Sequence, residues 1–360
     1  MTSKELLKTI NYVLKMKKLT FLLYLVLAVA CTREPSPAAG GSLTVDLSGI
    51  AATKSIIGAT AAEMRVNSLM LYVYDANGML DLAHSCSTEE INAKQAVMEV
   101  KTGSKTVYAL ANFQGDPLAA ANATATSTEL GQVPFLLGDN LTDGLLMTAS
   151  AGATVASGSG GSVTLQLSRP VARVALGSVT NKLPAPYGSV RVLRAFLCNV
   201  VGNQNVAGTA SASVWYNRNA TSDNVAGHVI GTGGYMAQEA SLTYTELNED
   251  VALNTAHSFS NKFFYAFPNA LTNPNNGFNS AFSPTATVLM VVVQVKNVPY
   301  YYPVPLIGAL ESNKDYKVDL TLIGLGNTED QPFNKIEKAN LAASVQVSDW
   351  TSGATYTESI

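Results

Sequence analysis

The sequence predicts an all-β protein of two domains that follow an export signal. Small residues, Thr, Val and Tyr are frequent, and Gly and Asn mark many turns, which favours short strands over long helices. Several segments alternate apolar and polar residues with the period of two that is typical of half-buried strands. The length of 360 residues is too great for one small sandwich and suits two β domains of ordinary size.

Composition narrows the function classes. Charged residues make up 14% of the chain and the formal net charge is −3, so the basic excess of a nucleic-acid-binding protein is missing. The hydrophobic fraction of 47% is enough to bury a sizeable core. An exported domain that relies on disulfides usually carries more than three cysteines. Cys86 and Cys198 either pair or act as two isolated small hydrophobic residues, and the second interpretation is favoured.

The N-terminal region has the pattern of a secretory signal. Residues 16–31 read MKKLTFLLYLVLAVAC, in which two lysines precede an apolar run too short to span a membrane. Cys31 follows the small residues of the cleavage site, which predicts a lipoprotein signal over residues 1–30 and acylation of Cys31. Met16 is the expected start. The alternative is an ordinary signal peptide with an incidental cysteine.

The segment after the lipidated cysteine predicts a tether followed by a strand. Its first ten residues are rich in Pro, Gly and Ala, which is typical of a flexible linker. Leu43, Val45 and Leu47 then alternate with polar residues, so they predict one buried face of a half-buried strand. A loose stretch that contains Lys54 follows. Residues 31–54 therefore form the tether and first strand.

Two domains are expected after residue 54. Pro170 breaks a strand pattern, which puts the boundary there and gives domains at 55–168 and 169–350. Asn77-Gly78 between apolar runs predicts a hairpin. Strands of the first domain are expected at 66–74, 96–100, 106–112, 145–149 and 162–167, with one short helix within 130–146. Strands of the second are expected at 169–176, 190–199, 263–267, 288–295, 316–322 and 343–350, with a loop-rich stretch at 201–262.

No catalytic constellation is present in the sequence pattern, so neither an enzyme, a metal site nor a cofactor is predicted. His84, His228 and His257 are isolated, and the cysteines are not clustered. The run at residues 157–161 is better explained as a hairpin loop than as a phosphate loop. Acidic residues in polar turns, such as Glu89, Glu90, Glu329 and Asp330, are expected to be solvated.

Two aromatic or amphipathic segments remain. The cluster at residues 300–302 predicts either a glycan-stacking patch or a strand edge with one or two rings in the core, and the second is favoured. In the last ten residues, Ala354, Tyr356 and Ile360 share one parity against polar residues on the other. Such a strand is suited to addition to another sheet. Glu358 interrupts the apolar face, so it is expected where water can reach it.

Several segments together resemble the fimbrillins, the type V pilins of Bacteroidetes, and most of all their major stalk subunit. These segments are residues 68–75 (SLMLYVYD), 105–112 (KTVYALAN), 167–174 (LSRPVARV), 301–304 (YYPV), 313–318 (NKDYKV), 322–326 (LIGLG) and 339–350. The resemblance covers essentially the whole chain. It implies two Greek-key, transthyretin-like β-sandwich domains in tandem.

The resemblance also implies a route of assembly. The subunit would reach the outer membrane as a lipoprotein, and a trypsin-like surface protease would cut after a basic residue and remove the first strand. Known members are cut after Arg, whereas the matching position here is Lys54, before Ser55. Residues 351–360 of a neighbouring copy would then enter the emptied groove. In an isolated precursor this tail is expected to be mobile, because its own groove is filled.

The implied partners are other copies of the chain, accessory fimbrial subunits, the protease and outer-membrane lipid, with no nucleic acid. The mature location would be a cell-surface fimbria that supports adhesion. Two alternatives stay open: an accessory tip adhesin or anchor subunit of the same fimbria, and a glycan-binding surface lipoprotein. An anchor would keep its first strand and lack a donor tail, and a tip adhesin would carry an enlarged binding region.

Overall fold

The computed structural model describes residues 40–48, 63–115, 118, 126–140, 144–217, 240–269, 287–306, 310–330, 332, 336, 339–349 and 355–359. In these ranges the chain is built almost entirely from strands, which confirms the all-β prediction. None of the helices found there is long and apolar enough to cross a membrane. The predicted signal peptide and Cys31 lie outside the described residues.

The first half of the chain forms a sandwich of two sheets. Its strands are β1 (Gly40–Asp46), β2 (Leu69–Asp75), β3 (Leu80–Ser85), β4 (Gln95–Lys101), β5 (Gly103–Ala111), β6 (Pro134–Leu136), β7 (Met147–Val155) and β8 (Gly161–Thr164). One sheet has the order β3-β2-β5-β7 and the other β4-β1-β8. Apolar residues from both sheets form one buried cluster between them, so this part is a two-layer sandwich.

Local signals account for the turns and helices of this half. The Asp75 carboxylate accepts hydrogen bonds from the backbone N–H groups of Asn77 and Met79, and Gly78 takes the left-handed φ of 75°. The β2–β3 hairpin predicted from Asn77-Gly78 is therefore confirmed. Two helices, α1 (Thr88–Ala93) and α2 (Ser127–Gln132), each begin with a capping box. The helix expected within 130–146 thus begins earlier, because its cap is Thr126.

The second half forms another sandwich. Its strands are β9 (Ala172–Asn181), β10 (Val190–Cys198), β11 (Val200–Val201), β12 (Asn203–Asn205), β13 (Trp215–Tyr216), β14 (Tyr244–Val251), β15 (Ala256–Ser258), β16 (Phe263–Ala266), β17 (Val288–Val295), β18 (Val298–Pro305), β19 (Lys314–Leu322), β20 (Leu341–Asp349) and β21 (Thr355–Ser359), with helix α3 (Ala240–Thr243). The sheet β14-β10-β17-β18 faces a second sheet in which β9, β19, β20 and β21 follow one another and β15 and β16 pair with β9. The stretch 201–262 contributes β14 and β15, so it is less loop-rich than expected.

The two sandwiches are joined by more than the chain between them. The chain passes from the first sandwich to the second between Thr164, the end of β8, and Ala172, the start of β9. Strand β6 of the first half pairs with β12 of the second. Tyr72, Tyr74 and Phe135 belong to the same buried cluster as the core of the second sandwich. The junction is therefore packed and apolar.

The aromatic and cysteine interpretations are confirmed. Tyr301 and Tyr302 are fully buried in β18, the outermost strand of its sheet, while Tyr300 is half-buried. The rings therefore belong to the core and form no glycan-stacking patch. Cys86 and Cys198 are buried and unpaired.

Candidate functional site

The first strand lies in the middle of its sheet. All seven residues of β1 pair antiparallel with β4. Residues 43–46 also pair in parallel with β8. Strand β1 therefore satisfies backbone groups on both sides, and without it β4 and β8 would each present an unpaired edge.

The inward face of β1 completes the core of the first sandwich. Leu43, Val45 and Leu47 are 0% exposed, whereas Thr44 and Asp46 are half-exposed. This is the half-buried strand that the alternation predicted. At about 1.5–3 kcal/mol for each large buried side chain, the three residues contribute roughly 5–9 kcal/mol of apolar burial.

One end of the groove that holds β1 is closed by backbone. A Cβ on Gly41 would lie 2.7 Å from Val155 Cγ1 and 3.1 Å from Ala156 O. A Cβ on Gly160 would lie 2.5 Å from Ser42 O. The glycine- and serine-rich run joins β7 to β8 here, which confirms its prediction as a hairpin loop. A strand that occupies this groove therefore has little room for side chains at this end.

After residues 40–48, the next described residue is Glu63, which is buried and acidic. Lys54, Ser55 and the rest of residues 49–62 lie outside the described residues. Glu63 is 1% exposed, and its carboxylate accepts hydrogen bonds from Arg173 Nη1 at 3.0 and 3.1 Å and from the Tyr265 hydroxyl at 2.7 Å.

The partners of Glu63 come from the second sandwich and extend the network. Arg173, on β9, also donates to the Asp315 carboxylate of β19, from Nε at 3.1 Å and from Nη2 at 2.5 Å. Arg169 Nη2 donates to the backbone oxygen of Glu63 at 3.0 Å. The chain just after the predicted cleavage region is therefore fixed to the junction between the sandwiches.

Burial and charge act in opposite directions in this network. Burial lowers the pKa of Arg169 to about 10, against the attraction of Glu63. Burial also opposes the charge on Arg173, but the bonds and charges of Asp315 and Glu63 raise its pKa. Burial and the Glu63 carboxylate raise the pKa of Tyr265, which keeps its hydroxyl as a donor. Arg173 therefore stays charged between two carboxylates.

The backbone around Arg65 is also held. Asn112 Nδ2 donates to the carbonyls of Arg65 and Leu145, each at 2.8 Å. Asn112 Oδ1 accepts from the N–H of Asn67 at 2.8 Å. A protease needs accessible, extended backbone, so these bonds make Arg65 a poor substrate.

The C-terminal strand has one neighbour. Strand β21 runs antiparallel to β20, with Tyr356 opposite Val347, and forms the edge of its sheet. Ala354 and Ile360 lie outside the described residues. The tail was expected to be mobile, whereas the backbone of residues 355–359 is paired within the chain. The reason is that β20 offers a free edge even though the groove is occupied.

One cluster was missed by the sequence analysis. The side-chain ligand atoms of His84, Cys86 and Glu90 lie within 4.8 Å of one another, so His84 is not isolated and Glu90 is not simply solvated. The signal was present: strand alternation puts residues 84 and 86 on one side, and Ser87 with Glu90 forms a capping box that turns the chain back.

One known family matches part of the chain. Residues 40–171 match the family described as Major fimbrial subunit protein (FimA). No curated protein matches the chain.

Solved structures share the fold along most of the chain. A candidate cell adhesion protein from Bacteroides eggerthii DSM 20697 has a TM-score of 0.58 at 18% identity, over 88% of this chain and 97% of its own. Another, from Parabacteroides distasonis ATCC 8503, has 0.55 at 18%, over 87% and 99%. A fimbrilin (fimA) from Porphyromonas gingivalis W83 has 0.52 at 14%, over 86% and 97%. The chain therefore matches a fimbrial subunit family over residues 40–171, and it shares its fold with these solved structures along most of its length.

Proposed function

We propose that this chain is an exported subunit that polymerises into a cell-surface fimbria by exchange of strands. A structural role in fimbriae and cell adhesion is supported by the family match over residues 40–171. The observation that carries the finer proposal is the position of β1. It is a central strand that completes the core, yet it joins the body only through the stretch that contains Lys54.

The proposed route begins at the outer membrane. The precursor is lipidated at Cys31, and a trypsin-like surface protease cuts between Lys54 and Ser55. Residues 31–54 leave and take β1 with them. The body, residues 55–168 and 169–350, then accepts residues 351–360 of a neighbouring copy between β4 and β8.

The cut explains how a central strand can leave. While it is covalently attached, β1 stays at high effective concentration beside its groove, so its departure is reversed at once. After the cut it becomes a separate segment that can diffuse away. The segment that follows the cut stays anchored to the body because Glu63 remains bound to Arg173 and Tyr265.

The contacts of the body favour Lys54 over the other basic residues. Arg65 is held through Asn112. Cleavage at Arg33 would leave β1 in place, so no groove would open. The residue after the cut therefore should be Ser55, which N-terminal sequencing of purified fibres tests. Fibre subunits that begin at Thr32 or Glu34 would contradict the proposal.

The parity of the tail fits the groove in one direction. If Ala354 takes the place of Leu43, then Tyr356 replaces Val45 and Glu358 replaces Leu47, beyond the last residue of the β1 ladder. Glu358 then takes the place of the fully buried Leu47 at the end of the groove, so its carboxylate must turn out to solvent for the tail to fit. Ser352 falls at the Gly41 position, where Val155 must shift to admit its Cβ.

A ladder of cysteines on β4 measures both the exchange and its register. Gln95, Val97 and Glu99 all point to the exposed face of β4, so cysteines there leave the core intact. Each is combined with Thr357→Cys in a chain that also carries Cys31→Ala and is therefore not lipidated. The purified chain is treated with trypsin and assembled in vitro. We expect disulfide-linked ladders of subunits from one of the three pairs, with Gln95→Cys strongest in the register above. Crosslinks only within single chains would rule out the exchange.

A further inference from the structure

We propose that His84, Cys86 and Glu90 form a binding site for a transition-metal ion, with Zn²⁺ the best fit. The site lies where β3 ends and α1 begins. His84 Nε2 is 2.9 and 3.1 Å from the two oxygens of Glu90, and the Cys86 sulfur lies within 4.8 Å of both groups. This inference is independent of strand exchange.

The spacing of these atoms is close to that of a zinc site. With Zn–N near 2.0 Å and Zn–S near 2.3 Å, ligand atoms around a tetrahedral ion are about 3.3–3.8 Å apart. The two His84–Glu90 distances lie just below this range, and no separation among the three groups exceeds 4.8 Å. Small side-chain rotations therefore bring all three atoms onto one ion without moving the backbone.

The local fold holds the three residues on one side of the chain. His84 is on β3, and Cys86 follows two residues later, with its N–H bonded to the carbonyl of Leu69. Glu90 is fixed by the capping box of α1, in which its Oε2 accepts from the N–H of Ser87 at 2.7 Å. This bond would orient the carboxylate of a metal ligand and leave its other oxygen for the ion.

The donor set selects the ion. A thiolate, an imidazole and a carboxylate are borderline-soft ligands that suit Zn²⁺, whereas Ca²⁺ and Mg²⁺ prefer sites made of oxygen alone. The thiolate and the carboxylate together balance the charge of a divalent ion. Three protein ligands leave a fourth position for water or for a group from a partner.

Access and packing also agree with a site. The side chains of His84 and Glu90 are 29% and 25% exposed, so an ion can enter from solvent. Cys86 is 9% exposed and contributes to the core of the first sandwich. Burial and the charge of Glu90 raise the pKa of Cys86 to about 12 in the metal-free protein, so an ion must displace this proton when it binds.

The position of the site gives it a structural consequence. Helix α1 leads directly into β4, which forms one wall of the groove around β1. An ion held by β3 and α1 would fix the start of that wall to the opposite sheet.

Cobalt provides the direct test, because Co²⁺ bound by a thiolate has an intense charge-transfer absorption. The full chain with Cys31→Ala has only Cys86 and Cys198 as thiols. We expect one Co²⁺ per chain with this absorption, displaced by Zn²⁺. Cys86→Ala should abolish the band, and His84→Gln and Glu90→Gln should each weaken Zn²⁺ binding by at least about tenfold.

Matched controls separate the site from unspecific binding and from misfolding. Cys198→Ala removes the other buried thiol and His257→Gln an unrelated histidine, and both should keep the band. In EDTA, circular dichroism should show the same fold for Cys86→Ala and its parent, with a melting temperature lowered only slightly by the loss of one buried sulfur. No band in the parent, or a band that survives Cys86→Ala, would overturn the proposal.

Discussion

The first strand and the C-terminal strand differ in what holds them. Strand β1 has a neighbour on each side, and together with the adjoining Leu47 it places three fully buried side chains in the core. Strand β21 has one neighbour, β20, at the edge of a sheet. Release of β1 therefore breaks two ladders and opens a core, whereas release of β21 breaks one ladder.

This difference assigns the two strands different parts in the proposed exchange. The strand that is hard to remove needs an irreversible step, which cleavage supplies. The strand that is easy to release needs none, and it gains a second ladder when it moves from an edge into a groove. The following changes test this asymmetry, beginning with the largest expected effect.

Deletion of residues 351–360 should abolish fibres while the monomer stays folded. The deleted strand lies at an edge, and the sheet through β20 remains. Electron microscopy counts the fibres, and circular dichroism confirms the fold.

A reversible version of the same test ties β21 to β20. Gln346 and Thr357 are direct partners, so cysteines at both positions should form a disulfide within the chain and stop assembly. Assembly should return with reductant. Normal fibres from either the deletion or the oxidised tether would remove the tail from the mechanism.

Replacement of Arg173 by Met should lower the free energy of unfolding by about 3–5 kcal/mol, because it removes the cation that lies between two buried carboxylates. This change tests whether the body is fixed where the removable segment ends. Urea unfolding measures it. Arg191→Met is the matched control: its pair with Asp250 is 3.4 Å long with both side chains exposed, so the change should be within about 0.5 kcal/mol. Equal effects would show that the buried network is not an anchor.

Leu43→Ala should destabilise the precursor by about 2–5 kcal/mol, because it opens a cavity in the first core. Thr44→Ala, on the half-exposed face of the same strand, should change stability by no more than about 0.5 kcal/mol. Once the precursor is cut and assembled, the two variants should be equally stable, since neither residue remains. A difference that persists in assembled subunits would mean that β1 stays.

The smallest expected effect concerns β4, the wall of the groove that must stay folded when β1 leaves. Asp81 accepts from Lys105 Nζ at 2.6 Å and from the N–H of Lys101, the last residue of β4, at 3.0 Å. Burial alone would raise the pKa of Asp81, but the bonds and charges of the two lysines lower it below 3.8. A lowered carboxyl pKa stabilises the fold above the unfolded value, and this stabilisation is lost as the pH falls through the folded value.

Asp81→Asn should therefore cost about 1.5–3 kcal/mol near neutral pH and progressively less as the pH falls through the lowered pKa of Asp81. Urea midpoints of parent and variant across a series of acidic pH values measure the difference. A difference that does not depend on pH would mean that Asp81 acts through its shape alone.

The sequence predicted the strands better than it predicted their surroundings. The alternation of Leu43, Val45 and Leu47 indicated a strand with one buried face, and the structure confirms it. Nothing in that pattern indicated that β8, more than a hundred residues later, would be its parallel neighbour. The tail shows the same limit: its parity suggested a strand, but its expected mobility ignored the free edge of β20.

The difference between sequence prediction and structure is largest for the charged residues. Arg169 and Arg173 were recognised only as part of a junction motif, and Glu63 was not singled out. Their burial depends on Tyr265 and Asp315, which reach the junction from strands far along the chain. Charged residues are exposed by default, and only the folded arrangement reveals a paired exception. His84 and Glu90 were closer to being predictable, because a strand period and a capping box bring them together.

The sequence by itself therefore determined the all-β class, the faces of the main strands and the hairpin at Asn77-Gly78. These depend on periods of two residues and on the backbone preferences of single residues, which act locally. The tertiary structure decided which strand is central, which is at an edge, and which charges are buried. Those properties arise from pairings between distant segments, where the free energy depends on how the two sandwiches pack rather than on any short stretch of sequence.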